Sequence, residues 1–253
     1  MQYNFFQRLS NELKYIFSPS WTFKDVGEHW DNTTDYDDIN EKTYTYFRRF
    51  IDAYELFDLP ENKYTLDICS RTGNGSLYFW KNEKISKVVC ADVTKKMQEI
   101  CASNLKKHPL EFTTKQFVEY PLPFGDNQFE TILSFESIEH LPNPKKFVKE
   151  LHRILQPNGH LVLTMPNILW EPIHWIAAIF NIHHSEGPHR FIRHRKVKKW
   201  LKENNFKILK QKTFILIPCG PKFLIKFGEW LEKVLPNFIV TLLGLRRIYI
   251  CKK

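Results

Sequence analysis

The chain has 253 residues, 43% of them hydrophobic and 15% aromatic, with a formal net charge of +9. That apolar content excludes a disordered chain, and the length suits one large domain with additions. The longest apolar stretches, residues 168–182 and 238–245, fall short of the ~20 residues a membrane-spanning helix needs. The first twenty residues lack a basic region followed by an apolar run, so no secretory signal is expected. Five cysteines without C-x-x-C spacing read as reduced thiols of a cytoplasmic protein, not as a disulfide framework or zinc site. The charge is uneven: −6 over residues 1–140 and +15 over residues 141–253. An acidic front and a basic back suggest two surfaces with different partners, although lysine-rich solvated helices give the same count.

In chain order, residues 1–20 read as an amphipathic helix through Phe5, Leu9, Leu13 and Phe17, ended by Pro19. Residues 21–40, polar and acidic with interleaved aromatics, read as a loop. Residues 41–57 resume a helical pattern. From residue 63 strands and helices alternate: strand Tyr64–Cys69, the turn Ser70–Gly75, a helix to about Asn82, strand Lys87–Ala91, helix Lys95–Lys106 and strand Leu110–Phe117. Strand Phe129–Phe135, helix Asn143–Leu155, stopped at Pro157-Asn158-Gly159, and strand His160–Met165 complete the series. Such alternation predicts α/β architecture with a mostly parallel sheet. Beyond Pro166 it breaks. An aromatic, His-rich segment (168–192) leads to helix Arg195–Asn204, strand Lys207–Ile217, helix Pro221–Leu235, the apolar run 238–245 and strand Arg247–Cys251. The gap between the last two strands is long for a hairpin, so structure of its own is expected there.

In Leu66-Asp67-Ile68-Cys69-Ser70-Arg71-Thr72-Gly73-Asn74-Gly75 an apolar strand runs into an acid, then a tight turn with glycine, then a helix. The next strand ends in Asp92, placed to accept hydrogen bonds from ribose hydroxyls, or to cap the following helix. Turn and acid together point to a nucleoside-bearing ligand.

Three later blocks sharpen this: Leu122-Pro123-Phe124-Gly125-Asp126 through Phe129-Glu130, Glu136-Ser137-Ile138-Glu139-His140-Leu141, and Leu155-Gln156-Pro157-Asn158-Gly159. With the glycine turn they resemble class I S-adenosylmethionine-dependent methyltransferases of the type 11, ubiquinone-pathway-like group, over roughly residues 62–170. The resemblance implies a Rossmann-like doubly wound sheet of seven mostly parallel strands. A helical cap (1–60) would precede a cofactor-binding domain (61–253), with acceptor-side insertions at 168–200 and 218–245. It implies S-adenosylmethionine as cofactor, held by Asp67, Ile68, Cys69, Arg71, Gly73, Asp92, Val93, Met97, Phe117, Ser134 and Phe135. Arg71 departs from the family's pattern, which has glycine there. Pointing outward it costs little; pointing inward it could pair with the cofactor's carboxylate or the substrate, or damage binding. The acid that often contacts the adenine amine has no clear match, with Gln116 or Val118 at its place.

The E-x-x-E-H spacing puts Glu136 and His140 on one face if it opens a helix. His140 is then a candidate general base, its pKa near neutrality, with Glu136 as the second catalytic candidate. No metal is required. The alternative is a divalent cation held by Glu136, Glu139, His140 and the later His189, since the same spacing resembles metal-using ubiquinone-pathway and small-RNA methyltransferases. His183, His184 and His194 read as loop and surface histidines. Trp30, Tyr36 and Tyr44 are candidates for a lid over the cofactor, or for packing.

Apolar and basic residues stand side by side in 168–199 and 222–233, as in helices lying on anionic membranes. The expected acceptor is a small, hydrophobic or lipid-linked molecule methylated on oxygen, and the expected location is cytoplasmic with peripheral membrane attachment. A buried subdomain would look the same. Two other readings are a non-catalytic S-adenosylmethionine-binding scaffold and an RNA methyltransferase. No separate RNA-binding module is visible, which argues against nucleic acid.

Overall fold

A computed structural model describes residues 5–18, 20–32, 44–180, 185 and 187–253. The expectations for Pro19, Tyr36, His183 and His184 lie outside the described residues. Three helices come first: α1 (Phe5–Phe17), α2 (Phe23–Asn32) and α3 (Tyr44–Leu56). The alternating region follows as β1 (Lys63–Ile68), α4 (Asn74–Lys81), β2 (Ile85–Asp92), α5 (Lys95–Leu105), β3 (Glu111–Gln116), β4 (Phe129–Phe135), α6 (Pro144–Ile154) and β5 (Leu155–Pro166). A 3₁₀ turn (Ile168–Trp170) leads into α7 (Glu171–Ile179), α8 (His194–Glu203), β6 (Lys207–Phe214), α9 (Lys222–Val234), α10 (Asn237–Leu243) and β7 (Arg246–Lys252).

The seven strands form one sheet in the order β3-β2-β1-β4-β5-β7-β6, flanked by helices. Pairing is parallel from β3 to β5 and antiparallel where β7 inserts between β5 and β6. β1, β2 and β4 are almost continuously buried, as strands covered on both faces must be. β3 is a sheet edge, and its outward Glu111, Thr113 and Lys115 keep that edge polar. The chain reverses its direction of travel across the sheet between β1 and β4, where a crevice opens beyond the strands' carboxyl ends.

Two local expectations are corrected. Residues 23–32 of the expected 21–40 loop are helical, because Phe23, Val26 and Trp30 recur at helical spacing and are buried on α2. The start is marked by Thr22 and Asp25: the Asp25 carboxylate accepts from Thr22 N at 2.8 Å, and Asp25 N donates back to the Thr22 hydroxyl at 3.3 Å. Residues 136–143 form turns instead of opening a helix, so Glu136 and His140 do not share a helical face. The gap between β6 and β7 does hold structure, the helices α9 and α10.

Candidate active site

The turn after β1 carries three residues in the left-handed region: Cys69 (φ 56°), Arg71 (φ 52°) and Gly73 (φ 85°). This is a path glycine follows without penalty and other residues follow at a cost of about 1–2 kcal/mol each. Gly73 is also sterically required, since a Cβ there would stand 2.9 Å from Cys101 Sγ. Asp67 is buried beneath the turn and accepts from Ser76 Oγ at 2.6 Å. Burial pushes its carboxyl up to about 7.

Asp92, at the end of β2, closes the turn from the other side. Its Oδ2 accepts from Arg71 N at 3.0 Å and its Oδ1 from Thr94 N at 3.2 Å. Burial raises its pKa against the pull of those amides. The cap of α5 is Thr94, whose hydroxyl accepts from Met97 N, so Asp92 is not the capping residue. Val93 and Met97 line the same space as Asp92. Phe135 lines the neighbouring space beside Asp67 and Gly75.

Three expected cofactor contacts sit elsewhere. Phe117 packs edge-on against Phe23 with ring centroids 5.8 Å apart and is absent from the residues bordering the cleft. Ile68 is a core residue. The Ser134 hydroxyl is buried in the sheet with no hydrogen-bond partner among the described residues.

Arg71 points inward. Its Nη2 donates to the carbonyl of Glu136 at 2.9 Å, and its guanidinium carbon lies 5.2 Å from the centre of the Trp30 ring. Trp30 borders the cleft as a buried residue. Tyr44 does not: its hydroxyl donates to Glu229 on α9 at 2.6 Å. Glu136 is no general base. Its carboxylate pairs with Arg49 Nη1 at 2.9 Å and with Arg246 Nε. Burial alone would raise its pKa, but the two arginines outweigh it and hold the group at about 2. Neither these partners nor the left-handed backbone of Glu136 (φ 47°) is signalled by the local sequence. Arg49 and Arg246 lie 87 and 110 residues away, beyond the reach of any motif.

His140 borders the cleft, edge-on to Trp30 with centroids 5.7 Å apart. Its Nδ1 lies 3.1 Å from the carbonyl of Pro188, which fixes the proton on Nδ1 and leaves Nε2 as the basic nitrogen. His189 makes the same kind of bond to Gly187 O at 2.9 Å, and its ring centre is 6.1 Å from that of His140. With Glu136 committed to arginines, the four residues of the metal alternative do not converge. Among the described residues no group of three or more His, Cys, Asp or Glu could hold a metal ion.

Beyond the Glu139–Leu141 turn lies a second, larger cavity of about 390 Å³. Its walls are mainly aromatic and aliphatic, including Trp21, Trp175, Trp200 and Phe191, and Arg193 and Lys196 border it. Leu141 lines both this cavity and the cleft. Sequence reading placed an acceptor segment at 168–192 but gave no sign that α1 and the 20–21 linker would close the other wall.

The sheet order, the turn and Asp92 define the Rossmann-like fold of S-adenosylmethionine-dependent methyltransferases. Residues 66–163 match the family described as Methyltransferase domain. The chain is similar to the demethylmenaquinone methyltransferase of Chlamydia trachomatis, 28% identical over 125 residues that make up 48% of this chain and 53% of that protein. It is also similar to the mitochondrial ubiquinone biosynthesis O-methyltransferase of Dictyostelium discoideum, 27% identical over 146 residues, 54% of this chain and 44% of that one. The chain thus spans about half the length of the curated relatives it matches. Among solved structures it resembles the putative methyltransferase of Haloferax volcanii seen with the activator Trm112 (TM-score 0.65, 13% identity, 92% of this chain and 97% of that one), which shows the fold.

S-adenosylmethionine is the cofactor this class uses. The polar groups are compatible with it: the Asp92 carboxylate borders the cleft at the end of β2, and the Ser70 hydroxyl is buried beside the turn with no hydrogen-bond partner among the described residues. Arg71 borders both the space beside Asp92 and the space beside Gly75, each of which is small.

Proposed function

We propose that this protein is an S-adenosylmethionine-dependent methyltransferase acting on a small hydrophobic acceptor, with oxygen as the methylated atom. The observation that carries this reading is the junction of two spaces at one turn. A cleft with Asp92 and the left-handed 69–73 backbone adjoins an apolar cavity of about 390 Å³, a size suited to a small organic ligand. When bound, the cofactor supplies a methyl group on a sulfonium, transferred by direct displacement. The chain's part is to position the acceptor, exclude water and take a proton. We assign the proton to His140 Nε2, because Nδ1 is engaged by Pro188 O and the ring borders the cleft. The relatives named for demethylmenaquinone and ubiquinone biosynthesis support a quinone-type acceptor.

The same reading includes peripheral attachment to an anionic membrane. No helix among the described residues is long and apolar enough to cross one. Yet Phe6 and Phe17 on α1, Ile176 on α7 and Phe180 just after it, and Phe223 and Trp230 on α9 are all exposed. α1 and α7 adjoin, and α7 meets α10. The Phe5 and Phe180 rings lie 5.8 Å apart, and Trp170 Nε1 donates to Leu243 O at 2.7 Å, joining the start of α7 to the end of α10. So large an apolar exposure among lysines suits an anionic interface, and through α1 and α7 it adjoins the larger cavity. In this reading 1–60 serves as cap, 61–253 as the catalytic unit, and 168–200 and 218–245 as acceptor-side insertions.

The test is transfer of radiolabelled methyl from S-adenosylmethionine into the organic-soluble and RNA fractions of a cell extract. Label entering the organic-soluble fraction supports the reading. Label confined to RNA, or absent with cofactor bound, replaces it with the RNA or scaffold alternative.

A further inference from the structure

Arg71 does more than depart from a glycine pattern. Two small spaces flank its side chain, one beside Asp92, Met97 and Trp30, the other beside Asp67, Gly75 and Phe135. Each holds about 20 Å³, room for a single water. Cys69 and Arg71 are the residues common to both borders, and of the two only arginine is long enough to span them. The guanidinium is held at both ends of its reach, stacked on Trp30 and donating to the Glu136 carbonyl. Its charge faces the buried acids Asp67, Asp92 and Glu136.

We propose that Arg71 is a latch that divides the cofactor cleft into two compartments and positions itself as a stand-in cation until the cofactor displaces it. The inference rests on the cofactor reading above. An extended nucleoside–amino-acid ligand must run from Asp92 to the Asp67 side, through the place the guanidinium takes. The incoming ligand can replace what it displaces: S-adenosylmethionine carries a sulfonium, so a positive charge leaves the acids as another arrives. S-adenosylhomocysteine lacks that charge. Arg71 therefore opposes entry of both ligands by bulk, and its displaced guanidinium, still tethered beside the cleft, additionally opposes S-adenosylmethionine by like charge.

The backbone makes the test clean. At φ 52° glycine is the unstrained residue, so Arg71→Gly should fold at least as well as the natural chain. Calorimetry on the full chain would measure Kd for S-adenosylmethionine and S-adenosylhomocysteine in the natural protein, Arg71→Gly, Arg71→Met and Arg71→Lys. Arg71→Gly is expected to bind S-adenosylhomocysteine about tenfold more tightly, having no guanidinium contact to break. Arg71→Met keeps the bulk without the charge, so it should shift the Kd ratio of the two ligands several-fold toward S-adenosylmethionine. Arg71→Lys should keep the natural ratio. A merely structural arginine would not move that ratio. Trp30 emission should change on titration in the natural protein and much less in Arg71→Gly, with Trp30→Phe identifying the signal among the seven tryptophans. Measurable binding that is equal or weaker in Arg71→Gly overturns the latch and leaves the cofactor reading intact. No heat with either ligand in any variant overturns both.

Discussion

The two spaces that meet at the Glu139–Leu141 turn are built on opposite principles. On the cofactor side, polar groups are buried and bonded: Asp92 takes two backbone amides, Asp67 a hydroxyl, and Glu136 two arginines. On the side of the larger cavity, apolar groups line the walls and stand exposed along α1, α7, α9 and α10. The first arrangement fixes one geometry, because a buried polar atom tolerates no misplacement. The second recognises surface and shape, and it can accommodate a family of apolar partners. The two halves therefore differ in what a substitution would cost.

The largest effect should come from Glu136→Ala. It leaves Arg49 and Arg246 without their buried carboxylate, a loss of about 3–5 kcal/mol visible as a lowered urea midpoint. The pH dependence has a defined sign. A folded-state pKa of about 2 lies below the ordinary 4.5, so the stability from Glu136 is full above pH 4.5 and fades as pH falls toward 2. Glu136→Gln should remove that acid-side loss. Asp67 acts in reverse: with a pKa near 7 against an ordinary 3.8, its contribution is full below 3.8 and is lost as pH rises through 7. Asp92→Ala should come next, weakening S-adenosylhomocysteine binding about a hundredfold through lost charge-assisted bonds, read by calorimetry. An unchanged Kd would remove Asp92 from the site.

The acceptor half should respond to different probes. Trp230→Asp should lower flotation on phosphatidylglycerol vesicles about tenfold while leaving S-adenosylhomocysteine binding alone. Equal flotation of the two proteins would return the apolar belt to a protein–protein role. The smallest effect expected is inside the turn. Gly73→Ala should cost about 1 kcal/mol or more, read by thermal unfolding, since its Cβ meets Cys101 and its φ is 85°.

The cofactor half was the more legible in sequence, for a physical reason. A glycine turn, an acid at a strand end and a periodic apolar strand act over a few residues, so their signature is local. Asp92 stands at the end of β2, and Val93 and Met97 border the same space. Glu136 was misread because its partners come from α3 and β7, and because a helix was assumed where the chain makes turns. α2 was missed although its Thr22-x-x-Asp25 start was visible, since acidic residues masked a three-residue apolar stripe. The apolar segments near 168–180 and 223–243 were found, but not their adjacency, which depends on hydrogen bonds from Asn167 and Trp170 to the end of α10.

The place of β7 has a consequence for how the molecule comes into being. Residues 246–252 are synthesised after every other strand, yet they lie between β5 and β6 and are β6's sole strand neighbour. Until they emerge, β6 has nothing to pair with and one side of β5 is an open edge. They also deliver Arg246 to Glu136, so the carboxylate behind the cofactor cleft waits for the same seven residues. Completion of the sheet and the arrival of the second arginine at Glu136 are thus a single event. A nascent chain stalled before residue 246 would present a sticky strand edge and a Glu136 carboxylate lacking one of its two arginines together.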